Sequence, residues 1–236
     1  MTVNSRTTLA LLVGCAIGIA ALSFEATPRA RAASLLDAGA DQTKPSPSKT
    51  PDLFTEIYNR GVAQKKTMTS IRAKFTETTE SSLLTKPIVA HGTVVATSSA
   101  RVLMTYADPE RKTITMDGKL LTIAWPDRNE REQINIADVQ KRIEHYFAEA
   151  TIGDLRSMFE IAARPDSSAP HLDRIDMRPK RKQIQQGLEL LELWIDRQRV
   201  MLSRMRLSFP GGDRKTIALE DVVLNVPVSE EMFQAR

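Results

Sequence analysis

The side chains that most often carry out chemistry, histidines, cysteines and paired acids, are few and scattered in this chain. The three histidines are His91, His145 and His171, and none has an acidic or cysteine neighbour at the spacing of a zinc site or a hydrolase triad. The sequence also lacks a Gly-x-Ser-x-Gly elbow, a phosphate-binding glycine loop and a dinucleotide fingerprint. We therefore expect no catalytic residues, no metal and no cofactor, and interpret the histidines as surface residues.

Two pairs of glutamates have a spacing that would suit a carboxylate pair in acid–base chemistry. They are Glu77 with Glu80, and Glu189 with Glu192. Solvated faces of strands or helices explain both pairs more simply, and we expect all four side chains to be exposed.

The charge pattern is that of a nearly balanced domain. The chain carries a formal net charge of +4, but Arg6, Arg29 and Arg31 outnumber Glu25 within residues 1–32, which leaves about +2 for residues 33–236. Such a balance argues against a nucleic-acid partner. The basic run 178–182 is the densest cluster of charge, and it fits a solvated loop or, alternatively, a contact with anionic lipid headgroups.

The N-terminus has the three parts of a secretory signal peptide. Arg6 precedes an apolar run, Leu9–Phe24, and Ala30-Arg31-Ala32 offers a small-residue cleavage site. We predict cleavage of residues 1–32, export to the periplasm, and a mature chain that begins near Ala33. A retained anchor and a lipoprotein acylated at Cys15, the only cysteine, are the alternatives.

A polar segment then separates this signal from the folded part. Residues 33–50 include two closely spaced prolines and lysine, serine and threonine neighbours, which is typical of a flexible linker. We expect one domain over residues 51–236. Within it, apolar residues at helical spacing predict a helix over 52–66, with Asp52 as its N-cap.

After this helix, apolar residues recur at every second position instead of at helical spacing. This alternation predicts a series of short antiparallel strands. The candidates are Ile71–Thr76, Ile88–Thr97, Arg101–Tyr106, Lys112–Met116, Leu120–Trp125, Glu132–Ile136 and Leu172–Arg178. Residues 136–163 are predicted to be helical, in two pieces divided by Gly153. Residues 183–209 remain open between a long helix and two strands, because their composition favours a helix while Met201 to Leu207 alternate.

The order of these elements, together with several short segments, resembles the LolA family of periplasmic lipoprotein carriers over about residues 52–233. The segments that carry the resemblance, in order, are Ile71-Arg72-Ala73-Lys74-Phe75, Gly92, Tyr106-Ala107-Asp108-Pro109, Met116-Asp117-Gly118-Lys119, Trp125-Pro126-Asp127, Leu193-Trp194-Ile195-Asp196, Gly211-Gly212 and Leu224-Asn225-Val226-Pro227, closing at Phe233. No segment is diagnostic alone, but the order and spacing match.

The resemblance implies a fold and a set of partners. The fold would be mainly β with α: an incomplete antiparallel β-barrel, or curved sheet, covered by helices as in LolA and LolB, with strands over 183–209. It would act as a monomer that holds acyl chains of lipoproteins or other lipids. An inner-membrane ABC release complex would supply the cargo and an outer-membrane acceptor would take it. A tethered acceptor or an envelope sensor of the same fold is the alternative function.

One departure from the family pattern bears on the cargo. The family's Arg-Pro pair, which is associated with coupling lid movement to release, falls at Ser98-Ser99 here, with Arg101 displaced. A lipid other than a lipoprotein is therefore an open alternative. In addition, five methionines of the predicted strands and helices favour a deformable apolar surface: Met104, Met116, Met158, Met201 and Met205.

Combining strand parity with this fold gives candidate residues for the cavity and its lid. The predicted wall consists of Ile71, Ala73, Phe75, Val94, Ala96, Val102, Met104, Tyr106, Ile114 and Met116. The predicted lid consists of Tyr146, Phe147, Leu155, Met158 and Phe159. A shift of one residue in any strand would exchange the inside for the outside.

Overall fold

The computed structural model describes residues 51–99, 101–138 and 150–233. The predicted first helix is confirmed as α1, Leu53–Lys65, and Asp52 caps it by accepting a hydrogen bond from the Thr55 amide at 3.0 Å. Phe54 and Ile57 are buried on one side of α1. The predicted signal peptide, residues 1–32, and linker, residues 33–50, lie outside the described residues.

Six strands follow α1 as an antiparallel meander, and each overlaps a strand that the alternation predicts. They are β1 Ser70–Glu80, β2 Ile88–Thr97, β3 Val102–Asp108, β4 Lys112–Met116, β5 Leu120–Trp125 and β6 Glu130–Asn135. A 3-10 turn, Pro126–Arg128, joins β5 to β6. Gly118, in the tight turn between β4 and β5, has a φ of 97°, a conformation that glycine adopts without steric cost.

The second half of the chain forms a second meander. It comprises the helix α2 Ile152–Met158, β7 Phe159–Pro165, β8 Leu172–Pro179, the short helix α3 Lys182–Gln185, β9 Leu190–Asp196, β10 Met201–Ser208, β11 Arg214–Leu224 and a 3-10 turn, Glu230–Phe233. Residues 183–209 are therefore mostly strand, as the family resemblance implied, and the tight Gly211-Gly212 turn has positive φ at both glycines.

One prediction is wrong within this half. Residues 159–163 were expected to end a helical region but form the start of β7, which pairs with β8 from Phe159↔Pro179 to Pro165↔Asp173. The physical reason is tertiary: the backbone groups of this segment bond to the edge of β8, and such pairing overrides a weak local helical pattern. Within the rest of that predicted region, residues 139–149 lie outside the described residues, and Ile152–Met158 is helical as predicted.

All eleven strands belong to one antiparallel sheet, because β11 pairs with β1 and so joins the two meanders. The strand order is β6-β5-β4-β3-β2-β1-β11-β10-β9-β8-β7. The sheet is curved and is not closed into a barrel, which confirms the predicted fold class. Its two edge strands, β6 and β7, are consecutive in the chain.

The core lies against one face of this sheet, which we call the inner face. Alternate residues of the strands of both meanders form one cluster with Phe54 and Ile57 of α1 and with Leu155 and Met158 of α2. Gly92 lets two strands approach at this face, since a Cβ there would lie 2.6 Å from the Phe75 ring and 2.2 Å from a backbone oxygen.

The opposite, outer face carries polar clusters rather than a second core. Trp194 is buried there beneath three guanidinium groups, with Arg204 only 4.2 Å from the ring centroid and Arg174 at 5.2 Å. Arg174 also bonds to Glu192, which is 4 % exposed. Glu192 is thus a buried partner in an ion-pair network, and our expectation of a solvated residue was wrong for it.

Candidate functional site

All ten residues of the predicted wall lie on the inner face of β1 to β4. Nine are buried, and Ile114 is half-buried against the same cluster. The parity of the strands is as predicted, because each pleat places alternate side chains on one face. Their role as the wall of a ligand chamber stays a prediction.

Strand register arranges these residues in rows across the sheet. One row runs from Ala73 through Val94, Met104 and Ile114 to Ile123, each paired with the next across adjacent strands. A second row, one step along the strands, consists of Ile71, Ala96, Val102, Met116 and Leu121. Opposed side chains in such rows are about 5 Å apart, so they form a continuous apolar surface.

The second meander extends this surface, and sequence reasoning did not include its residues. The buried inner-face residues of β8 to β11 are Ile175, Met177, Leu191, Met205, Leu207, Ile217 and Leu219. Alternation in β10 was visible in the sequence, but the prediction of the wall stopped at β4. The pairing of β11 with β1 is what brings the two halves onto one face.

A polar group interrupts the apolar surface near the far end of β1. The Tyr106 hydroxyl donates to Glu77 at 3.0 Å, and Lys215 Nζ donates to the other oxygen of Glu77 at 2.8 Å. Burial, reinforced by the Glu77 charge, raises the pKa of Tyr106. Glu77 is 8 % exposed, so the expectation that it is a solvated strand residue was wrong.

The helical layer over the inner face is only partly the predicted lid. Leu155 and Met158 are buried on α2, which begins with a capping box in which Thr151 and Asp154 bond reciprocally. Phe159 is buried too, but it is the first residue of β7 and so belongs to the sheet rather than to a lid helix. Tyr146 and Phe147 lie outside the described residues.

The helix α1 is a second component of this layer that the lid prediction omitted. Its Tyr58 hydroxyl donates to the Ala150 carbonyl at 3.0 Å, just before α2. On the other flank, Arg60 donates to the Arg197 carbonyl at 2.6 Å and thereby joins α1 to the β9–β10 turn. The amphipathic pattern of residues 52–66 indicated that α1 covers apolar surface, but not which surface.

Lys65, at the end of α1, is a further buried residue that the sequence analysis missed. Its side chain is buried, although lysine is seldom buried without a partner. A signal existed, since Lys65 lies eleven residues after Phe54, about three helical turns, and so falls on the same stripe of the helix.

A cleft of about 640 Å³ opens between α1 and the hairpin formed by β9 and β10. Its apolar lining includes Ala63 of α1, Met201 and Leu224, while Arg60 and Arg199 contribute positive charge. The cleft adjoins the inner face, because Met201 and Leu224 also pack against the core cluster.

Arg101, the arginine displaced from the family's Arg-Pro position, pairs with the last 3-10 turn. It precedes Val102, an inner-face residue, and donates to Glu230 at 3.0 Å. It also lines an outer cleft with Thr115 and Phe233.

The described residues offer little for metal chemistry or membrane crossing. No group of three or more His, Cys, Asp or Glu side chains within residues 51–99, 101–138 and 150–233 is arranged to hold a metal ion. His91 lies on the surface with its Nδ1 2.8 Å from Asp108. In the same ranges, no helix has the length and apolar character that spanning a membrane requires.

An open antiparallel sheet with an apolar inner face under helices is a lipid- or lipoprotein-binding fold. The profile of the family described as outer membrane lipoprotein carrier protein LolA matches residues 66–236. The chain belongs to this family, as the sequence resemblance indicated.

The solved structures to which the chain is similar have low sequence identity to it. An uncharacterized conserved protein from Thermus thermophilus is 11 % identical, with a TM-score of 0.50 over 77 % of this chain and 92 % of that one. A putative outer membrane lipoprotein-sorting protein domain from Vibrio parahaemolyticus is 9 % identical, with a TM-score of 0.42 over 76 % and 95 %. A chain of the MucA/MucB complex from Pseudomonas aeruginosa is 15 % identical, with a TM-score of 0.43 over 77 % of this chain and 60 % of that one. No curated protein matches the chain in sequence.

Proposed function

We propose that this protein is a periplasmic carrier that holds acyl chains, of lipoproteins or of another lipid, between the inner face of the sheet and the helical layer. The observation that carries this proposal is the continuous apolar inner face, to which strands of both meanders contribute under α1 and α2. An inner-membrane ABC complex and an outer-membrane acceptor are the partners that membership of the family suggests.

The hydrophobic effect supplies the affinity. Each methylene withdrawn from water contributes about 0.8 kcal/mol, so one long acyl chain gives ample binding free energy. Methionines on the inner face, such as Met104, Met116 and Met205, have flexible side chains that repack around acyl chains of different shape.

Release requires that the empty protein cover the same apolar surface. The buried residues of α1 and α2 contact the inner-face cluster directly, so the helices and an acyl chain compete for it. Because the bonds that hold α1 to other elements come from the side chains of Asp52, Thr55, Tyr58, Arg60 and Gln64 and not from sheet pairing, α1 can move without loss of that pairing. We infer that when the helical layer moves back onto the inner face, its apolar residues replace the bound acyl chain and the cargo is released.

Replacement of Met104 by aspartate tests the chamber. In a chamber, water can reach the carboxylate when the helical layer moves away, but the carboxylate must be desolvated when an acyl chain enters. We expect Met104→Asp to weaken binding of a fluorescent fatty acid by about tenfold or more, with a melting temperature close to that of the parent. Fluorescence titration and thermal unfolding measure the two quantities.

Thr105→Asp is the matched control, since Thr105 lies on the same strand but is exposed on the opposite face. It should leave both binding and melting unchanged. A Met104→Asp protein that fails to fold would show that Met104 belongs to a closed core, because a carboxylate buried without water or a partner is strongly destabilising.

A further inference from the structure

Lys65 is a cation on an otherwise apolar side of α1. The side chain is 9 % exposed, and its Nζ has no hydrogen-bond partner among residues 51–99, 101–138 and 150–233. Phe54 and Ile57, the other buried residues of α1, both belong to the inner-face cluster. Lys65 therefore extends the buried stripe of the helix with a charge instead of a methyl group.

The chain connectivity places Lys65 at a defined end of the inner face. Its carbonyl accepts the Met68 amide at 3.1 Å in the short connection that leads to Ser70, the first residue of β1. Ile71, next along β1, pairs with Ala96 on one side and Leu224 on the other. Four residues thus join Lys65 to the end of β1 that holds Ile71, whereas Glu77 lies toward the other end of that strand.

A lone ammonium in this position is unfavourable in the empty protein. Burial lowers the pKa of Lys65 to about 8, and no charged neighbour within the part of the chain that the structure describes offsets that effect. The two other buried ionic groups of the inner-face region are compensated, because Glu77 pairs with Lys215, and Asp173 pairs with Arg197 at 2.7 Å. Lys65 alone among these has an unused capacity to bind an anion.

We propose that Lys65 binds the anionic head of an acidic amphiphile, a carboxylate or a phosphate, whose acyl chain lies along the inner face. This inference rests on the proposed carrier function and narrows its cargo, since an uncharged acyl group would leave the ammonium unpaired. A charge-assisted hydrogen bond inside an apolar site is stronger than a neutral one, which gives selectivity for acidic lipids over neutral lipids of equal chain length.

Ligands with hydrocarbon chains of the same length but different head groups distinguish the contribution of the head group to binding from that of the chain. Binding of palmitate, palmitoyl lysophosphatidic acid and cetyl alcohol to the full chain would be measured at pH 7 by displacement of a fluorescent probe. We expect the parent to bind at least one of the two acids about tenfold or more tightly than the alcohol. Whichever acid binds more tightly identifies the head group as carboxylate or phosphate.

Lys65→Met should abolish this preference while it retains binding of the alcohol, because the chain length and shape of the side chain are kept. Lys65→Gln, which keeps a donor without the charge, should bind both classes with similar affinity. Lys66→Met is the control, since Lys66 is exposed and adjacent in sequence, and it should behave as the parent does.

The outcomes distinguish this inference from the carrier function on which it rests. If the parent binds the acids and the alcohol equally, or if Lys65→Met keeps the preference for acids, the assignment of Lys65 is wrong while the carrier function stands. If the parent binds none of the three ligands, the apolar chamber itself is refuted, and the assignment of Lys65 fails with it.

Discussion

At the scale of single residues, Lys65 couples ligand recognition to stability. Its pKa in the folded protein is about 8, compared with 10.5 for an ordinary lysine. The unfolded chain therefore binds a proton more strongly than the folded protein does, and the charged form opposes folding. Lys65 lowers the stability of the empty protein, and an anion bound to it would remove this cost. Binding of the anion would therefore raise the free energy of unfolding.

This argument predicts a pH-dependent gain in stability when Lys65 is replaced. Below pH 8 the folded parent must carry the buried charge, and Lys65→Met should raise the free energy of unfolding by on the order of 3 kcal/mol. Between pH 8 and 10.5 the folded parent loses the proton first, so its stability rises and the difference between the two proteins declines. Urea denaturation at pH 7 and pH 10 measures the effect.

Lys66→Met, measured in parallel, should give the same small difference at both pH values, because its side chain is exposed. An equal stability difference for Lys65→Met at both pH values would show that the ammonium is solvated in the folded protein.

At the scale of elements, Asn225 fixes the connection between α1 and β1. This residue follows β11 with a φ of 55°, the left-handed region that asparagine tolerates better than most residues. Its side chain accepts the Thr69 amide at 2.8 Å and donates to the Thr67 carbonyl at 3.1 Å, and its own amide donates to Ser70. The segment Leu224-Asn225-Val226-Pro227 of the family resemblance thus has a structural basis.

Two substitutions separate the contribution of the Asn225 side-chain hydrogen bonds to stability from that of its backbone conformation. Asn225→Gly keeps the left-handed backbone but loses the side-chain bonds, and it should lower the free energy of unfolding by about 1–2 kcal/mol. Asn225→Ala loses the bonds and adds backbone strain, so it should cost about 1 kcal/mol more. Chemical denaturation of both proteins measures the difference.

Since Asn225 also holds the connection that follows Lys65, both variants should bind palmitate more weakly than the parent. Equal stabilities of the glycine and alanine variants would contradict the assignment of strain to this position.

At the scale of the whole molecule, the opening of the sheet lies between β6 and β7, which follow one another as strands with residues 136–158 between them. If β6 and β7 were paired, the sheet would close into a barrel, but they are its two edges. Exposed charged residues, Glu130 and Glu132 on β6 and Glu160 on β7, make these edges poor templates for pairing with other chains.

Export is a further prediction for the whole molecule, and the fate of residues 1–32 would decide whether the proposed carrier is free to diffuse. We expect the protein isolated from a cell envelope to begin near Ala33, because Ala30-Arg31-Ala32 offers a signal peptidase site before the polar linker. Intact mass spectrometry measures the N-terminus. A mass that includes acylated Cys15, or residues 1–32 intact, would indicate instead a tethered acceptor or sensor of the same fold.

The amino-acid sequence by itself determined the elements whose pattern is local. Alternation of apolar and polar residues predicted β2, β4 and β5 at their observed bounds, since a pleated strand always places alternate side chains on one face. The same alternation placed the ten predicted wall residues on one face. Asp52 and the helical spacing after it predicted α1 to within a residue at each end.

Only the tertiary structure decided the features that depend on which segments meet. Phe159 is in a strand because β8 supplies hydrogen-bond partners, and Glu192 is buried because Arg174 lies on the neighbouring strand. Glu77 is likewise buried by Tyr106 and Lys215, which are distant in sequence. Lys65 falls on the apolar stripe of α1, but only the tertiary structure shows that its Nζ has no partner among the described residues. A periodic pattern shows that a face will be covered, whereas what covers it is set by long-range pairing.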